Sequence, residues 1–106
     1  DYIYSRAFST DADSVSEYVS KTVGTMKENN LLSCVKHFPG YGNNTNTHTG
    51  MSVDKRSWES FEERDLKPFK AGVDAGVPFL IMLLMILIRA FRHHFQKSFI
   101  IILEMI

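Results

Sequence analysis

Cysteine is almost absent. Cys34 stands alone among 106 residues, so no internal disulfide can form. Its place in the apolar run 31–35 points to a buried structural thiol rather than a nucleophile. An excess of one charge is missing too: 12 basic and 12 acidic side chains cancel, and neither sign forms a dominant block. Such a balance leaves no footprint for a nucleic acid or an anionic membrane, and neither partner is expected. Long hydrophobic runs are also lacking. The stretch from Val77 to Ile88 holds about a dozen residues and is interrupted by Pro78, against the ~20 that a spanning helix requires. The adjacent His93 and His94 point in different directions on a helix or a strand, so they do not make a metal pair. No metal or cofactor is expected. The chain opens on Asp1 rather than Met, which suggests further sequence upstream.

What is present alternates between helical and extended patterns. Ser9, Thr10 and Asp11 supply capping groups, and Asp13 and Glu17 follow where a helix N-terminus favours negative charge. Val15, Val19, Val23 and Met26 then make one apolar stripe on a helix that ends near Asn29 and Asn30. Residues 31–35 read as a buried parallel strand bounded by turn formers. Residues 38–50 carry Pro39, Gly40, Gly42, Gly50 and a run of asparagines, and read as a long loop. A second helical region spans about 57–74, with Trp58 and Phe61 on one face and Pro68 in a first turn. Ala75 and Gly76 close it, and a further buried strand begins over 77–82. Helix, strand, loop, helix, strand is a piece of a parallel α/β fold. In such folds chemistry sits at the C-terminal ends of strands, where Lys36 to His48 falls.

The segment Lys36-His37-Phe38-Pro39-Gly40-Tyr41-Gly42, followed by Asn46-Thr47-His48, places two cationic or titratable side chains at the end of an apolar run and a second histidine on a Gly/Asn loop. With Arg6-Ala7-Phe8-Ser9 before it and Asp65-Leu66-Lys67-Pro68-Phe69 after it, this segment resembles the N-terminal barrel domain of family 3 glycoside hydrolases. The Lys-His-Phe-Pro-Gly element with its histidine loop is similar to the β-N-acetylglucosaminidase branch, and the likeness covers about residues 4–82. A β-glucosidase-type member of the family, or a non-catalytic sugar-binding or membrane-associated small protein, stands as the alternative.

The resemblance implies a partial (β/α)8 barrel, since a whole barrel takes ~250 residues. It also implies a carbohydrate partner, an N-acetylglucosamine-containing glycan. By that likeness Arg6, Lys36 and His37 bind the hydroxyls of the terminal sugar. His48 takes the place of the acid/base, a group that titrates near neutrality and can protonate a leaving oxygen. Asn46 stands where the family pairs that histidine with an aspartate. An amide orients a ring N–H but does not stabilise imidazolium by charge. The family's nucleophile is an aspartate beyond a later Leu-Gly-Phe segment, so this chain is expected to be inactive alone. The lone thiol favours a reducing cytoplasm slightly and leaves a secreted or lipoprotein parent open.

Beyond Met82 the likeness stops, and 83–106 forms an apolar tail separate from the barrel fragment 1–82. Codon degeneracy permits, in a shifted reading frame, a Ser-His pair just past the strand, then Pro-Ala-Ser-Leu-Ser, then Arg followed by two acidic or amide positions. All three are family-like segments in the right order. The tail is therefore expected to be out-of-frame translation and, with its Ile, Leu and Phe runs, an aggregation liability.

Overall fold

The first long helix, α1 (Ala12–Glu28), begins where Asp11 supplies its cap: the Asp11 carboxylate accepts from the Ser14 amide at 2.8 Å and from the Ser14 hydroxyl at 2.6 Å. The computed structural model describes residues 4–42, 52–82, 85–89 and 98–102. A 3-10 turn (Tyr4–Arg6) precedes α1. The valine stripe expected from the sequence turns inward: Val23 is buried, and Val15, Val19 and Met26 are half-buried. At the far end Asn29 caps the helix, Asn30 takes a left-handed conformation (φ 57°), and the Leu31 amide donates back to the Met26 carbonyl at 2.8 Å.

That exit moves the first strand. Expected over 31–35, it runs instead as β1 (Cys34–Phe38), because Leu31 still closes the helix and pairing begins only at Cys34. Its partner is β3 (Phe79–Met82), parallel, in the register Cys34 to Phe79, Val35 to Leu80 and Lys36 to Ile81. The register then slips, so that Phe38 rather than His37 pairs with Met82. The Lys36–His37 and Phe38–Pro39 peptides are cis.

Between the two strands the chain is helical from Trp58 to Asp74, in three segments: α2 (Trp58–Ser60), a π segment (Phe61–Asp65) and α3 (Leu66–Asp74). Ser57 caps the start, its hydroxyl accepting from the Ser60 amide. Pro68 lies in the first turn of α3, as expected. It has no amide to give to the Arg64 carbonyl and its ring would crowd that group. The widened π turn lies just upstream, where this mismatch is absorbed.

Helix α3 packs on α1 and on β1 at Gly72. A Cβ there would stand 2.9 Å from Val35 Cγ1 and 3.3 Å from Val19 Cγ1, so glycine is what lets the two helices and the strand meet. Lys67 of α3 adds an exposed ion pair with Asp13 of α1 at 2.8 Å. A second core gathers around Phe61 and Tyr41, with Phe38, Trp58, Leu66 and Met82 against them. The Trp58 and Phe61 rings lie stacked, 6.5 Å apart, on the shared face expected from their spacing.

Two burial expectations are corrected. Cys34 is exposed, because Val35 takes the side of β1 that faces α1 and α3, and alternation turns Cys34 the other way. Strand β3 starts at Phe79 rather than Val77 and is not buried: Phe79 is 54% exposed and Ile81 37%. Among the described residues β1 is its only strand neighbour. A second sheet runs in the order β2 (Ser52–Asp54), β4 (Met85–Arg89), β5 (Ser98–Ile102), with β2 and β4 parallel and β4 and β5 antiparallel. The short β2, which lies between the loop expected over 38–50 and the second helical region, has no counterpart in the sequence reading. The architecture described is thus a small mixed α/β arrangement with one parallel β1–β3 pair joined through helix.

Two outcomes follow. Gly72→Ala gains about 1 kcal/mol of helix propensity but forces a methyl into a packed contact costing about 1–3 kcal/mol. The expected net effect is a lower denaturation midpoint. The Asp11 carboxyl is held below its ordinary value of 3.8, first by the Ser14 hydroxyl and then by the Ser14 amide. Its contribution is therefore present above that value and is lost as pH falls through the lowered pKa. Asp11→Ala is expected to reduce helical circular dichroism at pH 7 and to make no difference at the acid end.

Candidate functional site

Lys36 and His37 are the third and fourth residues of β1, and His37 lies two residues before the turn at Pro39. Lys36 is exposed and His37 is half-buried, with its Nδ1 enclosed. The slip in register falls at His37, and its ring meets the Tyr41 ring edge to face, 5.1 Å apart at 71°. The turn is closed by the Gly40 amide, which donates to the His37 carbonyl at 2.7 Å.

A cavity of about 430 Å³ opens at this strand end. Lys36, His37 and Tyr41 line it from β1 and the turn, and Phe8 and Ser9 line it from the segment that follows Arg6. Phe69 of α3 closes another side and also meets Phe38 edge on. The three motifs singled out in the sequence, as far as they fall in the described residues, thus all contribute to the wall of one space. Arg6 itself ends the 3-10 turn as an exposed side chain and is not on the cavity wall. Asn46 and His48 lie outside the described residues.

The cavity wall carries an exposed ammonium, an imidazole, a serine hydroxyl and aromatic rings among apolar side chains, groups that can meet both hydroxyls and C–H faces. A pyranose presents hydroxyls on its rim and C–H groups on its faces, and fixed donors around the rim orient C1.

Sequence reasoning missed the charged cluster beneath the turn. Arg56 donates through Nε and Nη2 to both carboxylate oxygens of Asp54, at 2.9–3.1 Å, and through Nη1 to Asp65 at 2.8 Å. The Arg56 amide also donates to Asp54 at 2.9 Å. Asp54 is 2% exposed, and the guanidinium carbon lies 4.2 Å from the centre of the fully buried Phe61 ring. Burial works against the Arg56 charge, but the hydrogen bonds it donates to Asp54 and then to Asp65, with the charges of the two carboxylates, outweigh it and raise the pKa. The signal was there in outline. Asp54 ends β2 and Arg56 follows two residues later, an acid–base pair close in sequence, while Asp65 belongs to the Asp-Leu-Lys-Pro-Phe motif.

The cluster also explains two motif glycines. Gly40 and Gly42 have φ of 116° and 54°, and a Cβ would lie 3.2 Å from Asp65 Oδ1 in the first case and 2.8 Å from Arg56 Nη2 in the second. Both positions need the conformation and the closeness that glycine allows.

Comparison with known proteins bears on the same residues. The sequence profile described as the glycosyl hydrolase family 3 N terminal domain matches residues 1–92. A protein named beta-hexosaminidase from Xylella fastidiosa (strain M23) is 38% identical over 78 residues, covering 73% of this chain and 23% of that protein. A beta-hexosaminidase from Stenotrophomonas maltophilia (strain K279a) is 35% identical over 81 residues, covering 76% and 24%. One from Tolumonas auensis is 36% identical over 72 residues, covering 67% and 22%. The chain spans about a quarter of the length of these curated relatives.

Stability is expected to follow the asymmetry of the cluster. Arg56→Met leaves Asp54 buried without its countercharge, at a cost of about 3–5 kcal/mol. Asp65→Asn leaves the Asp54 fork intact and costs about 1 kcal/mol. Urea unfolding of the two variants checks the order.

Proposed function

Because the chain belongs to the glycosyl hydrolase family 3 N-terminal domain family, we propose that it is part of a β-N-acetylhexosaminidase. That enzyme would remove terminal N-acetylglucosamine from glycans with retention at the anomeric carbon. The observation that carries this reading is the convergence of Lys36 and His37, at the end of a parallel strand, with the segment following Arg6 on one cavity. The names of the relatives point the same way.

In this reading Lys36 and His37 on the cavity wall, with Arg6 from just outside it, hold the hydroxyls of the terminal sugar and set C1 for attack. His48 first donates a proton to the leaving oxygen and then takes one from water. Asn46 orients the His48 ring. The carboxylate that attacks C1 and forms the glycosyl-enzyme has no assigned position in this chain. The 106 residues by themselves are then half of the apparatus and inactive. The parallel β1–β3 pair is a section of a (β/α)8 barrel, a form that places its chemistry at the C-terminal strand ends. Residues 83–106 are out-of-frame translation without evolved function, although the profile match runs on to residue 92. Sequencing the coding DNA tests this last point: a single base restoring the family-like segments is expected, and an intact frame refutes it.

The activity is tested on the enzyme that carries this segment in full. It is expected to hydrolyse an aryl N-acetylglucosaminide far faster than an aryl glucoside, and the reverse order would overturn the substrate assignment. His48→Ala is expected to lower kcat ~10²–10⁴-fold, the usual worth of an acid/base group. By the family likeness Asn46→Asp restores the aspartate that pairs with the histidine and so favours the charged imidazole. The alkaline limb of the rate profile is then expected to move to higher pH.

A further inference from the structure

The Arg56 cluster is more than a surface ion pair. It sits under the turn that follows the Lys36–His37 pair, and it reaches that turn by three routes. The guanidinium lies against Gly42, where there is no room for a Cβ. Asp65, held by Arg56, lies close against Gly40, where a Cβ would stand 3.2 Å from its Oδ1. The guanidinium also covers Phe61, which packs with Tyr41, and the Tyr41 ring abuts the ring of His37. Gly40, Tyr41 and Gly42 are thus fixed from below by one side chain, and His37 leans on the middle one.

We propose that Arg56 is a positioning residue for substrate recognition: its two-sided fork to Asp54 and Asp65 seats the Gly40–Gly42 turn and so sets the His37 ring on the cavity wall. The proposal rests on the glycosidase reading for its consequence but not for its geometry. Arginine suits the task where lysine does not. A planar guanidinium satisfies two carboxylates in different directions at once, whereas an ammonium makes one compact contact and cannot also fill the space against Gly42 and Phe61.

The test separates positioning from stability. In the full-length enzyme, the ratio of kcat/KM for an aryl N-acetylglucosaminide to that for its galacto epimer does not depend on how much of the sample is folded. The two substrates differ in the orientation of one ring hydroxyl. Arg56→Lys keeps a countercharge for Asp54, so the protein folds, and it is expected to lower this ratio about tenfold, the size of one hydrogen bond's net contribution. Arg56→Gln is expected to lower it at least as far. Val23→Ala, in the core of α1 and away from the cavity, is expected to lower stability and leave the ratio unchanged. A ratio unaltered in Arg56→Lys, or altered equally in Val23→Ala, overturns the proposal.

A second readout needs no substrate. The His37 ring protons are expected to shift in the NMR spectrum of Arg56→Lys as the Tyr41 ring moves, with α1 resonances unchanged. Unmoved His37 signals also overturn the proposal. A wild-type enzyme that hydrolyses neither sugar would sink the glycosidase reading alone, because the His37 signals decide the positioning by themselves.

Discussion

A guanidinium held between two carboxylates is the constraint on which the rest of the site depends. Arg56 binds Asp54 with two nitrogens and Asp65 with a third, and its flat face lies on Phe61. Asp54 ends strand β2, and Asp65 ends the π segment that leads into α3. One side chain therefore ties a strand end to a helix junction nine residues further along the chain from Arg56 itself. The arrangement is rigid because it is nearly dry around Asp54. A carboxylate that is 2% exposed cannot exchange its partner for water, so the partner has to stay.

From that anchor the order passes upward. The turn after β1 lies closely on the cluster: a side chain at Gly42 would collide with Arg56, and one at Gly40 would crowd Asp65. Tyr41 between them is buried against Phe61, and His37 packs on Tyr41. The glycines of the Lys-His-Phe-Pro-Gly-Tyr-Gly motif therefore serve the ion cluster and the backbone, while Lys36 and His37 serve the cavity. A second and separate contact sets the helical layer: Gly72 brings α3 against Val35 and Val19, which places the back of β1 on the two helices and leaves its front to the open side.

Much of this was legible from the residues. The cap at Asp11, the valine stripe of α1, the aromatic pair Trp58 and Phe61, and the early Pro68 all follow from local rules of spacing and capping. The resemblance carried by Lys36 to Gly42 led to the family that the comparison supports. The strand boundary was misplaced because a helix exit consumed Leu31, and that exit depends on a left-handed Asn30 that no periodicity reveals. The exposure of Cys34, and of β3, turned on which neighbours each strand has, and an apolar run does not state its neighbours.

The residue order settles what is chemical and local: which residues cap, which face of each helix is apolar, and which motif brings cationic and titratable groups to a strand end. These are properties of near neighbours along the chain, and their spacing encodes them. Only the tertiary structure decided that Asp54, Arg56 and Asp65 form one cluster, that it lies beneath Gly40 and Gly42, and that Lys36 and His37 share a cavity with the segment after Arg6. Those contacts join parts of the chain separated by turns and helices. A charge finds its partner by the distance left after packing, which the order of residues alone does not specify.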